Sequence, residues 1–378
     1  MFRKILNLRN LTLTIVTTVY IVISKQIFDN IFLTSNIIVD EEFHLPLGEA
    51  YCWRDFNKWD PKVTTFPGLY LLSTLIFSSF KLCSTYWLRL TSFIAASVNI
   101  ILFYMVLKLF NKEVAWKNVI SAVNLSLLPP LYFFSHIYYT DVSSIMMTIL
   151  MVICAKKECH YLASIFGFLA IAMRQTNVIW IGMLFGDHLL KELVLLISKN
   201  SSSSKVAKIS WEDVQHTIKT TLIQPTAVLK RMHLKLIFNC SAYMSVICSF
   251  LIFVYLNGSI VVGDKTAHKA TIHIPQIFYF ATFTLVFGWV HFISFVVPFF
   301  KYFSTFVFVS IVSCLLIIYW NTLVHPYMLA DNRHYIFYVW NRFYGRYYFF
   351  VMLWCWYMFL PLMVFWPKFG IKVTLHSH

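Results

Sequence analysis

The sequence predicts an all-α, polytopic membrane protein that forms one multi-pass domain over residues 1–378, with about ten transmembrane helices. Two features of the composition favour this class. Hydrophobic residues make up 59% of the chain and charged residues only 12%, and a soluble domain could not bury that much apolar surface. In addition, apolar runs recur along the whole chain, most of them near the ~20 residues that cross a bilayer.

The first apolar run predicts an uncleaved signal anchor whose amino terminus lies in the cytosol. Three basic residues within the first nine precede a run from 11 to 33, which Lys25 and Asp29 interrupt late. This run is longer than the apolar core of a secretory signal and lacks a convincing small-residue cleavage site. The polar segment that follows is therefore expected in the lumen.

That segment, 34–65, is an acidic first lumenal loop. It gathers six of the sixteen carboxylates of the chain: Asp40, Glu41, Glu42, Glu49, Asp55 and Asp60. Acid groups are unfavourable near a bilayer, so such a loop is either strongly solvated or suited to acid–base chemistry at the membrane surface. Pro67-Gly68 then marks a break, and the run 65–80 is expected to return toward the membrane.

Eight further apolar runs predict the remaining spans. They cover 87–110, 118–134, 142–155, 161–190, 236–257, 276–297, 304–320 and 348–366. The run 161–190 carries Arg174-Gln175-Thr176-Asn177 at its centre, which allows either one long helix or two shorter ones broken by a polar hinge. Asp141 is a candidate partner for Arg174, because a buried guanidinium is tolerated mainly when it is paired or lines a polar cavity.

The segment 191–235 is predicted to be a cytosolic loop. It holds eight basic residues against three acidic ones, and an excess of Lys and Arg marks cytosolic loops. The net charge of +15 is otherwise scattered at span ends without a nucleic-acid-binding motif, which argues against a nucleic acid partner. Two later loops, 258–273 and 325–346, then fall on the same side as the acidic loop.

Cysteine and histidine spacing predicts neither a disulfide framework nor a metal site. The eight cysteines are single and mostly lie inside apolar runs, without the spacing of a redox or zinc motif. Possible metal ligands occur only as isolated pairs in separate loops: Asp40 or Glu41 with His44, Asp264 with His268, and Asp331 with His334. No bound metal and no cofactor are expected.

The three lumenal loops supply the two kinds of group that a transfer reaction at a membrane surface needs. A carboxylate in a water-poor pocket can deprotonate an alcohol, and cations can hold the developing charge of a phosphate. The candidates are Asp40, Glu41, Lys265, His268, Arg333 and His334. Structural roles are the alternative: the acids can be solvated charges, Asp264-Lys265 a turn pair, and Asp331-Asn332 an Asx turn or a helix cap.

Five short strings resemble, in the same order, those of one family. They are Asp40-Glu41-Glu42-Phe43-His44; Trp59-Asp60-Pro61 through Tyr70; Arg174-Gln175-Thr176-Asn177; Gly263-Asp264-Lys265 through Gln276; and His325-Pro326-Tyr327 through Tyr335. The family is that of the dolichyl-phosphate-glucose-dependent α-1,2-glucosyltransferases, which add the third, terminal glucose to the dolichol-linked oligosaccharide. The resemblance covers roughly residues 10 to 345.

The resemblance implies a GT-C-type glycosyltransferase fold in the endoplasmic reticulum membrane, with the active site facing the lumen beside the first lumenal loop. The donor would be dolichyl phosphate glucose, and the acceptor the diglucosylated oligosaccharide on dolichyl diphosphate. Enzymes of this class invert the anomeric centre without a metal. Members of the family carry more hydrophobic sequence after the last matched string, so an incomplete lipid groove is expected in this chain, which ends at His378.

The resemblance also suggests a role for each candidate residue. Asp40, or in second place Glu41, would take the proton from the acceptor hydroxyl. The remaining candidates would bind the donor phosphate and sugar: Lys265, His268, Arg333, His334, Asp331, Asp60 and His44.

Other classes remain open from the sequence. A sister GT-C transferase would use another dolichyl-phosphate sugar, and a transporter would need internal repeats and broken helices in matching halves, which the sequence does not show. An inactive scaffold for partner membrane proteins is the third alternative.

Overall fold

The computed structural model describes residues 2–38, 40–110, 115–198 and 211–266, together with short pieces between 271 and 342. Contacts divide the chain into two units, Met1–Lys265 and Thr266–His378. All helix bounds given below belong to the first unit. The spans expected at 276–297, 304–320 and 348–366 lie largely or wholly outside the described residues.

Regular structure in the first unit, where it is described, is helical. The α-helices are α1 Phe2–Thr34, α2 Glu41–Cys52, α3 Gly68–Phe77, α4 Thr85–Phe110, α5 Ala115–Ser126, α6 Pro129–Phe134, α7 Thr140–Lys156, α8 His160–Met173, α9 Val178–Ser198, α10 Trp211–Ile223, α11 Pro225–Arg231 and α12 Leu234–Asn257. Short 3-10 helices, Ser78–Phe80 and Gln175–Asn177, follow α3 and precede α9. The predicted helical class is therefore confirmed over these ranges.

Three of the described helices are long and apolar enough to cross a membrane. They are Leu11–Thr34 within α1, α4 and α12. Large apolar side chains such as Ile15 and Leu251 are more than half exposed on these helices, as expected for surfaces that contact lipid rather than water. The count of about ten spans stays a prediction.

The two charges inside the apolar run of α1 neutralise each other. Lys25 Nζ lies 2.6 Å from both carboxylate oxygens of Asp29, one helical turn further on. Lys25 also donates to the hydroxyl of Tyr86 on α4 at 3.0 Å. Pairing at this spacing lowers the free energy of charge in an apolar segment, and it links α1 to α4.

The run 161–190 forms two helices, which confirms the broken-helix alternative. Helix α8 ends at Met173, and Arg174 has an extended backbone with φ −146° and ψ 124°. Asn177 compensates for the break, because its side-chain amide donates to the carbonyl oxygen of Ala170 and to Ser144 Oγ, both at 2.7 Å. The polar string therefore lies at a helix junction.

The prediction of one continuous span over 118–134 is wrong. Helix α5 ends at Ser126 and α6 begins at Pro129. Proline has no N–H to donate and disfavours a helical backbone in the residue before it. Leu128 accordingly has φ −55° and ψ 123°, so the Pro129-Pro130 pair starts a new short helix.

The acidic loop 34–65 is structured rather than simply solvated, and it contains a disulfide. Helix α2 occupies its middle, and Cys52 at the end of α2 is bonded to Cys83, which precedes α4. The expectation of no disulfide is therefore wrong. Cys52 and Cys83 are 31 residues apart, and that spacing carries no sequence signal; α3 brings the chain back so that their Cα atoms lie 5.6 Å apart.

Polar groups collect at two opposite ends of the helix bundle. Asp141 in the first turn of α7 contacts Arg174, whereas Lys156 in its last turn contacts Asp187 of α9 at 3.2 Å. Since α7 has 17 residues, it is about 25 Å long, and the two contacts lie near its opposite ends. We call the end of the bundle at the first turn of α7 the Asp40 end, because Tyr139, the residue before α7, donates a hydrogen bond to Asp40. The end at the last turn of α7 is the Lys156 end.

Candidate active site

Asp40 is the half-buried carboxylate at the start of α2. It occupies the N-cap position, yet its side chain makes no capping hydrogen bond to the helix. Oδ2 instead accepts a hydrogen bond from the hydroxyl of Tyr139 at 3.1 Å. A carboxylate with one phenol donor and partial access to solvent can still accept a proton from a ligand.

Glu41, the next residue, is in the opposite situation. Its side chain is fully buried and forms a bidentate ion pair with Arg89 of α4, through Nε at 2.8 Å and a terminal nitrogen at 2.7 Å. The backbone N–H of Tyr138 also donates to Oε1 at 2.8 Å. These three bonds hold α2, α4 and the segment before α7 together, so Glu41 has the contacts of a structural residue.

His44 lies one turn after Asp40 and is a neutral group. Its Nδ1 is 2.6 Å from the hydroxyl of Tyr70, and its ring meets Tyr139 edge-on at 5.1 Å between centroids. Burial lowers the pKa of His44 to about 4, with Asp40 acting to raise it and Arg174 to lower it. At neutral pH His44 therefore offers hydrogen bonds rather than charge.

Arg174 adds a cation to the Asp40 end. Its Nη1 donates to Asp141 Oδ1, which confirms the partner suggested by the sequence. The other carboxylate oxygen of Asp141 is buried and has no hydrogen-bond partner within the described chain. The side chain of Arg174 is 39% exposed, so part of it remains accessible to an anion near Asp40 and His44.

Burial also raises the pKa of Tyr139, and the charge of Asp40 adds to this effect while Arg174 opposes it. The phenol is therefore a permanent donor to Asp40 at physiological pH. Tyr139 and Arg89 are the contacts of the site that sequence reasoning missed. The sequence indicates these two residues only weakly. Tyr139 is an aromatic residue two positions before Asp141, and Arg89 is a single charge near the start of a long apolar run.

The structure brings two of the five sequence strings together in one loop pair. The backbone N–H of Asp264 donates to Pro61 O at 2.7 Å, and that of Val262 to Thr64 O at 3.2 Å. A Cβ on Gly263 would lie 2.2 Å from Pro61 O, so the close approach requires glycine. We call residues 61–64 and 262–264 the loop pair.

The third string joins the loop pair from the helix junction. Gln175 donates from its side-chain amide to Thr64 O at 2.8 Å. Asp60 stands just before the loop pair, where its Oδ1 accepts the backbone N–H of Lys62 at 2.9 Å, the geometry of an Asx turn. Asp60 thus has a local structural contact.

The remaining sequence candidates are only partly described. Lys265 is exposed, and its ammonium group donates to the carbonyl oxygen of Asn257 at 2.7 Å, close to the end of α12. The other four candidates lie outside the described residues: His268, Asp331, Arg333 and His334. The structure thus assembles Asp40, His44, Tyr139, Asp141 and Arg174 at one end, and leaves the cationic side of the predicted site undescribed.

Fold and site define a helical membrane protein with a candidate acid–base site at one end of its bundle. The sequence profile of the DIE2/ALG10 family matches residues 34–374. The chain belongs to that family.

Relatives from distant organisms share one name. A Drosophila melanogaster protein is 39% identical over 336 residues, which cover 88% of this chain and 74% of the relative. A human protein is 33% identical over 344 residues, covering 82% and 70%, and an Arabidopsis thaliana protein is 28% identical over 374 residues, covering 80% and 72%. Each is named Dol-P-Glc:Glc(2)Man(9)GlcNAc(2)-PP-Dol alpha-1,2-glucosyltransferase. No solved structure shows a significant match to the chain.

Proposed function

We propose that this chain transfers glucose from dolichyl phosphate glucose to the diglucosylated oligosaccharide on dolichyl diphosphate, forming the terminal α-1,2-linked glucose. Membership in the DIE2/ALG10 family and the shared name of its relatives support this activity. On the structural side, the observation that carries the proposal is that the half-buried Asp40 and Arg174 share His44 and Tyr139 as neighbours. A base next to a cation is the pair of groups that transfer from a phosphate to a hydroxyl requires.

Asp40, rather than Glu41, is the proposed catalytic base. Glu41 has no room to receive a proton from a substrate without breaking its bonds to Arg89, and a buried carboxylate that loses its cation is strongly destabilised. Asp40 keeps solvent access and a single phenol donor. Burial and hydrogen bonding therefore favour Asp40 over Glu41 as the base.

The reaction is a single in-line displacement in which one bond forms as another breaks. The acceptor 2-hydroxyl oxygen attacks the anomeric carbon of glucose, and the bond from that carbon to the phosphate oxygen breaks with its electron pair leaving on dolichyl phosphate. Asp40 takes the hydroxyl proton. Inversion follows from attack on the face opposite the leaving group, and no step draws on a metal or another cofactor.

Cations hold the departing phosphate in this proposal. Arg174 is the described candidate near Asp40, and the sequence candidates complete the set: Lys265, His268, Arg333 and His334. Asp60, Asp331 and the neutral His44 would bind sugar hydroxyls or orient the cations. For Arg174→Gln we expect the KM for the donor to rise more than the KM for the acceptor; an equal rise in both would remove Arg174 from this role.

The GT-C-type fold and the lumenal position of the site in the endoplasmic reticulum membrane are part of the same proposal. The Cys52–Cys83 disulfide supports the sidedness, because disulfides persist in oxidising compartments such as that lumen. The basic segment 191–235, which begins in the last turns of α9 away from the Asp40 end, fits the cytosolic side. In this arrangement the lipid tails of both substrates stay in the bilayer.

The test is a transfer assay with the purified chain, dolichyl phosphate glucose and the diglucosylated acceptor. We expect a product one hexose heavier, and a loss of at least about 100-fold in kcat for Asp40→Asn, in line with removal of a general base. Asp55→Asn is the matched control, since Asp55 is an exposed acid in the same loop. Near-normal transfer by Asp40→Asn would contradict the assignment of the base.

A second arm of the assay addresses the sister-transferase alternative. Dolichyl phosphate mannose replaces the glucose donor while the acceptor stays unchanged. We expect no transfer above background from this donor. Transfer from mannose but not from glucose would overturn the proposed donor.

A further inference from the structure

A cluster of potential metal ligands lies at the Lys156 end, away from the candidate active site. It consists of Glu158 in the turn between α7 and α8, His160 at the start of α8, and His188 on α9. One ligand atom of each residue lies within 4.8 Å of the other two. We propose that these three residues form a binding site for one zinc ion, which joins the α7–α8 turn to α9.

His160 is held in the orientation of a ligand. Its side chain is 3% exposed, Nδ1 is 3.1 Å from the hydroxyl of Tyr243 on α12, and Nε2 is 3.0 Å from Glu158 Oε2. A partner on the distal ring nitrogen is the usual way in which a metal-binding histidine is fixed. Tyr243 is fully buried, so it is a positioning residue that holds the ring in place.

His188 supplies an independent sign of a missing ligand. Its ring lies 3.8 Å from that of His160, centroid to centroid, at an interplanar angle of 34°. Nε2 of His188 is buried, and within the described ranges it has no hydrogen-bond partner. A buried nitrogen without a partner is unfavourable, and a metal ion bound there would remove that cost.

Glu158 adds a negative charge that attracts a divalent cation, which two neutral histidines do not supply. Its backbone is left-handed, with φ 59°, a conformation that glycine or asparagine adopts more readily. Its carboxylate is 72% exposed, so an ion can enter from the aqueous side, and water can complete the coordination. Asp187 is not a fourth ligand in this arrangement, because Lys156 and Lys191 both donate to it.

The chemistry of the set selects zinc over the alkaline-earth ions. Two imidazole nitrogens and one carboxylate oxygen match the ligands of Zn²⁺, whereas Mg²⁺ and Ca²⁺ prefer oxygen. Ligand atoms at about 2.0–2.1 Å from a tetrahedral zinc are roughly 3.3 Å from one another. The ligand atoms, which lie within 4.8 Å of one another without the ion, would therefore move closer together on zinc binding.

The bound zinc would have a structural role. It joins the α7–α8 turn to α9 directly, and α12 through Tyr243. It lies at the far end of α7 from Asp40, so it takes no part in the proposed transfer, and the inference does not rest on the proposed function.

Zinc titration of the purified, tag-free, full-length chain tests the site. After chelator treatment and dialysis, we expect the chain to bind one Zn²⁺, measured by metal analysis and calorimetry, with a rise in Tm on binding. His188→Gln and Glu158→Gln should each weaken the affinity by more than about 100-fold, and Tyr243→Phe by about 10-fold, as for a residue that orients a ligand. His216→Ala, an exposed histidine on α10, should change neither quantity.

Two results would overturn the zinc site. One is a wild-type chain that binds no zinc at micromolar concentration. The other is binding that keeps its affinity in both His188→Gln and Glu158→Gln. The glutamine variants retain side-chain volume, and Tm without zinc shows that each is folded before its affinity is compared.

Discussion

Asp40 and Glu41 occupy opposite environments, although one peptide bond separates them. Glu41 points into the bundle and meets Arg89 and a backbone N–H, whereas Asp40 faces Tyr139 and solvent. The first environment favours a permanent charge that holds helices together, and the second favours a group that can exchange a proton. Neighbouring acids can thus divide structural and chemical roles between them.

Glu41→Gln should destabilise the protein far more than it alters the chemistry of the site. Removing one charge of a buried ion pair leaves Arg89 uncompensated, and we expect a loss of about 3 kcal/mol or more in the free energy of unfolding. Thermal unfolding in detergent measures the change. Asp55→Asn should unfold as the wild type does, and an unchanged Tm for Glu41→Gln would show that the pair is not structural.

The pKa of His44 predicts a stability that falls in mild acid. Burial lowers this pKa to about 4 in the folded state, below its ordinary value of 6.5. Between these values the unfolded chain binds a proton that the folded chain does not, so stability decreases as the pH falls from 6.5 toward 4 and is unaffected above 6.5. The full shift corresponds to about 3 kcal/mol.

Unfolding measured at several pH values in that window checks the effect of His44. Many carboxylates begin to titrate in the same range, so the comparison is with His44→Gln, which can still bond to Tyr70. The difference in stability between the two proteins should shrink or reverse in favour of the variant as the pH falls. A difference that stays constant would show that His44 titrates normally.

Among the larger elements, the loop pair is positioned by hydrogen bonds to backbone carbonyl oxygens. Pro61 and Thr64 accept hydrogen bonds from 262–264, and Gln175 reaches Thr64 from the helix junction. This connects the acidic loop to the end of α12 and to the α8–α9 break. Three segments far apart in the sequence therefore depend on one another for their placement beside Asp40.

Gly263→Ala should disturb this placement. The added Cβ would lie 2.2 Å from Pro61 O and 2.4 Å from Val63 O, both backbone atoms that cannot move away alone. We expect a loss of transfer of at least tenfold and a lower Tm, measured by the transfer assay and by thermal unfolding. Gly182→Ala is the control, since a Cβ there meets nothing within 4 Å and alanine favours the helix.

Patterns local to the sequence predicted much of the helical structure. Apart from the break at Pro129-Pro130, what was missed depends on contacts between distant segments. The limits of α4, α7 and α12 follow from apolar length, and the break at Arg174 follows from a polar string inside an apolar run. The Glu41–Arg89 pair joins residues 48 apart, and no periodicity encodes such a partner. The Asp40 region was recognised as a candidate site, but the buried state of Glu41 depends on how α2 packs against α4.

At the largest scale that the structure describes, the unit Met1–Lys265, charged side chains lie at two ends of an apolar helix bundle. The Asp40 end carries the disulfide and the candidate active site, and the Lys156 end carries the ion pairs of Asp187 and the zinc-site residues. Apolar clusters lie between them, with buried residues such as Met147 and Met151 on α7 and Ala163 and Ala170 on α8. This distribution is what a bilayer imposes on a protein with two aqueous faces.

Cysteine labelling in sealed microsomes tests whether the Lys156 end faces the cytosol and the Asp40 end the lumen. Cys159 is exposed at the Lys156 end, so a membrane-impermeant maleimide should label it without permeabilisation, and Cys159→Ser should remove that signal. A cysteine introduced at Asn57, which is exposed in the acidic loop, should react only after the membrane is opened. The reverse pattern would invert the proposed orientation.

The lengths of α7 and α8 have a consequence for the membrane itself. These helices have 17 and 14 residues, about 25 and 21 Å, whereas the hydrocarbon layer is about 30 Å thick. Such hydrophobic mismatch is relieved by local thinning of the bilayer or by water that reaches below the headgroups. We expect the Asp40 end to lie in this depression, where a polyprenol-linked sugar can meet the protein without leaving its leaflet.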